Sequence, residues 1–205
     1  MYVQYCCGFC APSGWRNFDA SPTLYFERIP LIGMLYTKNK TRFPKNVEYG
    51  NIVKGLPIPE GGCEAVYCSH ILEHLSLLDF RLALKNTWRI LKPGGRFRLV
   101  MPDLENHIWQ YTQNSTPEAA ILFMEATCLG HKTRPRSVSR ALLEAVGSNY
   151  HLWLWDYKSL MPELLKAGFV NIRRARFNDS EDPRFKEVEE QDRWDNLGVE
   201  CFRPE

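Results

Sequence analysis

Glu64-Ala-Val-Tyr-Cys-Ser-His-Ile-Leu-Glu-His-Leu75 and, close behind it, Trp88-Arg-Ile-Leu-Lys-Pro-Gly-Gly-Arg-Phe-Arg-Leu-Val-Met-Pro-Asp103 decide how this chain folds. Ala65, Val66 and Tyr67 form an apolar run that stops at the polar pair Ser69-His70, as a buried strand does when it reaches a turn. From Asp79 to Leu91 the apolar residues Phe80, Leu84, Trp88 and Leu91 recur at helical spacing, and Leu82 and Ala83 widen that face. Asp79 supplies an N-cap side chain, and Pro93-Gly94-Gly95 cannot continue a helix. Phe97, Leu99 and Val100 then form a second apolar strand that ends at Pro102-Asp103. Strand, helix and strand joined by short links predict two parallel strands and a right-handed crossover.

Outward from this unit, the length of 205 residues suits one α/β domain over residues 1–205, with residues 128–156 as an insertion or lid. Hydrophobic residues make up 44 %, enough to bury a core. A net charge of +2 gives no electrostatic basis for binding nucleic acid or a membrane surface. No apolar run is long enough to span a bilayer, and Met1-Tyr-Val-Gln4 begins as a strand rather than a signal peptide. The seven cysteines are odd in number and lack the spacing of a disulfide scaffold, which points to a reducing cytoplasm. Cys7-Gly-Phe-Cys10 has the C-x-x-C spacing used for zinc or thiol exchange. It has no second ligand pair, and Pro12-Ser-Gly14 follows where a thioredoxin-like helix should begin. Small residues packed in a tight turn account for it.

The motifs Leu72-Glu73-His74 and Arg89-Ile-Leu-Lys-Pro-Gly-Gly95, in this order and spacing, resemble the second half of the class I S-adenosylmethionine (SAM)-dependent methyltransferase domain, of the type 11-like kind. The resemblance continues more weakly over most of the chain. It implies a Rossmann-like fold: seven mostly parallel strands with the last antiparallel, and helices on both faces. It also implies SAM as cofactor and a small-molecule or glycan-type methyl acceptor. Tyr2-Val-Gln-Tyr5 reads as the first strand, and Cys6-Cys7-Gly8 occupies the place of the family's Gly-x-Gly turn. Gly8 matches the last glycine, whereas Cys6 stands where the first would be. Cys6 is therefore expected to keep a negative φ and to turn its side chain into the core, leaving a cofactor-sized cleft open. Trp15-Arg-Asn-Phe-Asp19 reads as a second strand ending in an acid placed to accept ribose hydroxyls, or alternatively to cap the Ser-Pro turn that follows. Ten residues separate Gly8 from Asp19, too few for a full helix, so the first crossover is expected to be vestigial. The Gly-Cys-Gly-like turn followed by Trp-x-Asn-x-Asp resembles a short subgroup of the family.

By the same resemblance, Val47-Glu-Tyr49 is the third strand, and Asn51 stands where the family carries an adenine-binding Asp. An amide can still accept from the adenine amine and donate to a ring nitrogen. Cys6, Cys7, Gly8, Asp19, Asn51, Ile52 and Ser69 thus form the candidate cofactor site. His70 is the candidate base, since a neutral imidazole is available near pH 7. His74, His151 and Trp153 are candidates for the acceptor pocket. Trp155 is placed with them, and His151, Trp153 and Trp155 could equally be core packing.

His70-Ile-Leu-Glu-His74 also matches the H-x-x-E-H metalloprotease pattern, but it sits between a strand and a helix cap rather than on a long helix. In some relatives this turn holds a metal. Here the ligand types would favour Zn²⁺ or Mn²⁺ over Mg²⁺, and the simpler expectation is a satisfied polar cluster in which Glu73 holds the turn, with no metal. Further along, helices are predicted over 104–113, 117–128 and 158–167, with Gly168 closing the last, and strands over 169–173 and 198–202. Lys132, Arg134, Arg136 and Arg140 lie in a loop that reads as solvated or as an acceptor clamp. The competing overall reading is a non-catalytic domain that has kept the fold and lost the cofactor.

Overall fold

The computed structural model describes residues 1–30, 33, 41–133, 137, 150–194 and 197–205. Its strands are β1 (Tyr2–Tyr5), β2 (Arg16–Asp19), β3 (Val47–Tyr49), β4 (Cys63–Ser69), β5 (Leu91–Met101), β6 (Val170–Ala175) and β7 (Leu197–Phe202). They form one sheet in the order β3-β2-β1-β4-β5-β7-β6. β1 to β5 pair in parallel, and β7 inserts antiparallel between β5 and β6. This is the class I methyltransferase, Rossmann-like sheet.

The decisive unit folds as its sequence demands. β4 and β5 are parallel, and helix α2 (Leu77–Ile90) connects them with Phe80, Ala83, Leu84, Thr87 and Ile90 buried. The helix starts earlier than its apolar spacing suggested. Ser76 is the N-cap and accepts from the Asp79 backbone N–H, while the Asp79 carboxylate takes the Ser76 hydroxyl proton. Asp79 thus serves from the N3 position inside the first turn, holding the capping hydroxyl rather than capping itself. β5 begins directly at Leu91, and the Pro-Gly-Gly segment joins it as an irregular start, with a register shift opposite Cys63 and Ala65.

Strand alternation divides the interior into two halves. Val3, Tyr5, Phe18, Val66, Cys68, Phe97, Leu99, Val199 and Cys201 point to one face, where α2 and α5 (Tyr157–Lys166) cover them. Asp156 opens α5 with a capping box on Ser159, and Gly168, at φ +96°, ends it. On the opposite face the first crossover is vestigial: only turns link β1 to β2. The space a helix would have filled is taken by the connection from β6 to β7. Its Phe185, Val188 and Trp194 pack with Trp15, Tyr67 and Val100. Arg98, fully buried on this face, ties the connection down by bonding to Glu189, Glu200, Asp179 and the Arg176 carbonyl, with its guanidinium 4.5 Å over the Trp194 ring. Helix α1 (Pro22–Arg28) covers the edge through Leu24, against Cys7, Phe43 and Val47.

Helices α3 (Leu104–Gln113) and α4 (Ala119–Ala126) pair with each other outside the core, and neither has a buried residue. Arg134, Arg136 and Arg140, expected in a solvated loop or an acceptor clamp, lie outside the described residues, as does most of the rest of 134–149. Lys132 pairs with Glu125. All seven cysteines are free thiols. Among the described residues no helix is long and apolar enough to cross a membrane.

Candidate functional site

In an open parallel sheet the ligand crevice lies beyond the carboxyl ends of the strands, where the connections diverge. The ends of β1, β2, β3 and β4 bring Cys6, Asp19, Asn51 and Ser69 to that edge. At the end of β1 the chain enters the left-handed region twice, at Cys6 (φ +55°) and Gly8 (φ +54°). The expectation of negative φ at Cys6 is therefore corrected. The turn keeps the backbone shape of its glycine counterpart, and Cys6 adopts it at a cost of about 1 kcal/mol or more. The expectation for its side chain holds: Cys6 packs against the core under the sheet edge. A Cβ built on Gly8 meets no atom within 4 Å, so the space above this residue is open.

Burial pushes the Cys6 thiol well up and the Cys7 thiol to about 12, and Cys10 is also raised by burial, so none of them is a ready thiolate. Cys7 packs beside Leu24 and Phe43, and its backbone N–H donates to the Phe18 carbonyl. The C-x-x-C spacing thus serves packing in a tight turn.

Asp19 is 7 % exposed, and both its oxygens are in use. Oδ2 accepts the Gly8 N–H at 3.0 Å and Oδ1 accepts the Ser21 N–H at 2.7 Å. Burial raises its pKa, against the pull of these two bonds. Asp19 thus caps the Ser-Pro turn, as one of its two alternatives had it, and also holds the glycine turn from the tip of β2. Asn51 caps its own turn, its Oδ1 accepting from the Val53 and Lys54 N–H groups. Gly50 before it is buried against Phe18 and Leu56 so closely that a Cβ would come within 2.6 Å of the Phe18 ring. The Ile52 side chain is buried in the core, and its carbonyl accepts from Asn86. Ser69 Oγ is buried with no hydrogen-bond partner. The cavity touching Cys6, Cys7, Cys10 and Ser69 measures only about 10 Å³ and is walled by Val188, Glu190 and Arg193 of the β6–β7 connection. Gly8, Asp19 and Asn51 do not line it.

Beyond β4 the chain turns through His70 (φ +52°) into a 3₁₀ turn, Leu72–His74. His70 Nε2 lies 3.1 Å from the Arg193 carbonyl, to which it donates, and Nδ1 lies 3.5 Å from Glu73 Oε1. Burial disfavours the charged ring, but the bonds to Glu73 and the Arg193 carbonyl outweigh it and raise the His70 pKa. His74 Nδ1 donates to the Tyr150 carbonyl at 3.0 Å, and its ring meets that of His151 edge-on at 4.8 Å. Glu73 is 1 % exposed, and its Oε1 lies 3.5 Å from His70 Nδ1 and 3.9 Å from His151 Nε2. Its backbone carbonyl holds the following strap, accepting from Leu152 and Trp153. Trp153 is 42 % exposed, whereas Trp155 is a core residue stacked on Phe80 at 4.4 Å.

A methyltransferase domain family matches residues 33–99, the part of the chain that includes β3, β4, α2 and most of β5. No curated protein matches the sequence. Among solved structures, a SAM-dependent methyltransferase from Methanosarcina mazei superposes with a TM-score of 0.52 at 15 % identity over 100 % of this chain and 92 % of that one. One from Thermotoga maritima gives 0.52 at 14 % identity over 98 % and 81 %. One from Mesorhizobium loti gives 0.51 at 16 % identity over 98 % and 90 %. These likenesses establish the fold, and the family match covers the unit that defines it.

Proposed function

We propose that this domain transfers a methyl group from SAM to a small-molecule or glycan-type acceptor. The observation that carries the reading is the turn after β1. A cysteine accepts left-handed backbone there, and the Asp19 carboxylate is locked onto Gly8 from the tip of β2. A relic with no ligand to accommodate has no reason to hold a strained non-glycine residue in that shape. The open space over Gly8 and the unpartnered Ser69 hydroxyl fit a polar ligand along this edge. Gly8 would lie under the methionine portion, with Asp19 at the ribose and Asn51 and Ile52 beside the adenine. Cys6, Cys7 and Ser69 would line the turn.

SAM brings its own activated methyl group, so the protein's tasks are alignment, exclusion of water and handling of one proton. His70 receives the acceptor's proton on Nδ1, and Glu73 at 3.5 Å stabilises the imidazolium so formed. His74, His151 and Trp153 face the acceptor. The domain acts in the cytoplasm on soluble acceptors, without nucleic acid or membrane.

Calorimetric titration with SAM and with its demethylated product tests the reading. Binding of either at micromolar to submillimolar concentration supports it. No heat with both at millimolar concentration sinks it and leaves a non-catalytic binding or structural module.

A further inference from the structure

On the face of the sheet away from the β6–β7 connection, α2 and α5 leave a groove of about 690 Å³ between them. Leu84, Trp88 and Ala167 bound it with apolar surface, and Arg81, Lys85 and Lys166 stand around it. Both helices run back from the carboxyl ends of the strands, and Trp88 and Gly168 lie just ahead of β5 and β6. The Trp88 end of the groove therefore lies toward the edge of the sheet opposite the cofactor crevice. The indole is held in place: its Nε1 donates to the Gly168 carbonyl at 3.1 Å, and the Arg203 guanidinium lies 3.8 Å over the ring. The charges are uneven. Glu163 is the one carboxylate among the described residues bounding the groove, and both its oxygens are taken, by the Arg81 fork and by Lys166 at 3.1 Å. Lys85 is exposed and has no ion pair among the described residues. Beside it, Leu78 and Leu82 are exposed one turn apart and continue the apolar surface along α2. An apolar floor, a few polar groups at the rim and a volume within about 300–1,000 Å³ are the form of a small-molecule site.

We propose that the groove between α2 and α5 binds a small amphiphilic organic anion, an aromatic body carrying one carboxylate or sulfonate, at a site separate from the cofactor crevice. The aromatic body lies on Leu84, Trp88 and Ala167, where its burial supplies most of the affinity. The anion meets Lys85, and also Lys166, whose ammonium has donors to spare beyond its bond to Glu163. These charges stand in water and are screened, so they select the sign of the ligand by a few-fold rather than hold it alone. A cation would find only Glu163, which two cations already neutralise. A neutral body of the same shape gains the floor and forgoes Lys85. The site depends on no part of the methyltransferase reading.

The test titrates the full, ¹⁵N-labelled chain with 8-anilinonaphthalene-1-sulfonate and, separately, with N-phenyl-1-naphthylamine, which has the same rings and no sulfonate. The readout is the Trp88 indole N–H resonance, assigned by its absence in Trp88→Phe. The sulfonate is expected to shift it saturably, with a dissociation constant on the order of tens of micromolar. The neutral compound should bind about fivefold more weakly. Lys85→Glu is expected to weaken the sulfonate about five- to tenfold and to leave the neutral compound unchanged, and Lys166→Gln to weaken the sulfonate about twofold. Both lysines are exposed, so neither variant is at risk of unfolding. A Trp88 resonance that stays in place at millimolar sulfonate overturns the proposal, even where the dye binds the exposed apolar residues of α3 and α4. Equal affinity for the two compounds, or an unchanged sulfonate affinity in Lys85→Glu, overturns it as well, because the groove then does not select an anion. The shift should be the same with SAM present, and displacement by SAM also overturns the proposal. SAM binding itself is read by calorimetry, so the failure of either reading leaves the other standing.

Discussion

At Cys6 two effects of opposite sign act on one residue. The left-handed backbone costs about 1 kcal/mol or more, while the buried sulfur contributes packing of similar size. Cys6→Gly removes both and is expected to change stability by less than about 1 kcal/mol. Cys6→Ala removes the packing and keeps the strain, so it is expected to be less stable than Cys6→Gly, by about 1 kcal/mol in urea unfolding. If alanine proves the more stable, the residue is not held at positive φ. Asp19 offers the complementary measurement. Asp19→Ala is expected to weaken SAM binding by about 1.5–3 kcal/mol, the range for lost hydrogen bonds to a charged group, and also to loosen the Gly8 turn. Asp19→Asn keeps an acceptor for the turn, so a large loss of affinity in that variant isolates the ribose contact. The conformation at Cys6 could not be read from sequence, because cysteine has no preference for the left-handed region. Only the resemblance of Cys6-Cys7-Gly8 to a Gly-x-Gly turn hinted that a turn of fixed shape was required.

Among the elements, the strands and the strand–helix–strand unit were legible because their signals are local: alternation, 3.6-residue spacing and an unmistakable Pro-Gly-Gly stop. Element ends were less so. Ser76 rather than Asp79 caps α2, although both residue types cap helices well, and the apolar pattern does not choose between them. Packing between elements was invisible, as in the ion pair that ties α2 to α5. The Arg81 guanidinium forks onto both oxygens of Glu163 and holds that carboxyl down to about 2. The folded pKa lies below the unfolded value near 4.5, so the pair's stabilisation is complete above that pH and is lost as pH falls towards 2. The gap in urea midpoint between native protein and Arg81→Met should therefore be constant above about pH 5 and should shrink steadily below about pH 4. A gap that persists unchanged at pH 2.5 would mean that Arg81 stabilises by packing rather than by charge. Arg81 is half exposed, so the gap itself should be modest.

For the whole molecule, one omission early in the chain is answered by a segment near its end. Ten residues between Gly8 and Asp19 leave no room for a helix, and the bare face of β1, β4 and β5 is covered by the β6–β7 connection instead. The omission was legible by counting. Its remedy was not, because 3₁₀ turns such as Pro183–Glu187 and Gln191–Arg193 carry no periodicity, and their anchor is a buried arginine on β5. Likewise His70, Glu73 and His74 stood together in the sequence, while the strap carrying His151 was assigned only loosely to the pocket. Arg98 is what makes the remedy hold. Its guanidinium satisfies Glu189, Glu200, Asp179 and a backbone carbonyl in a space with no water access. Removing it leaves Glu189 buried without its charge partner, which costs about 3–5 kcal/mol, while Glu200 keeps Arg96 and Arg173. Lysine cannot restore the planar fork, so Arg98→Lys is expected to lose most of that too. The loss should be unevenly spread: the sheet retains α2 and α5 on its other face, while the connection loses its clamp. Limited proteolysis of Arg98→Lys is therefore expected to cut first within 176–194 and to leave β1 to β5 protected. Val188, Glu190 and Arg193 also wall the small cavity at Cys6 and Ser69, so the same variant should admit SAM more readily than the native chain wherever it stays folded. Cleavage that begins instead in α5 or β4 would show that the connection is a passive cover and that Arg98 stabilises the sheet as a whole.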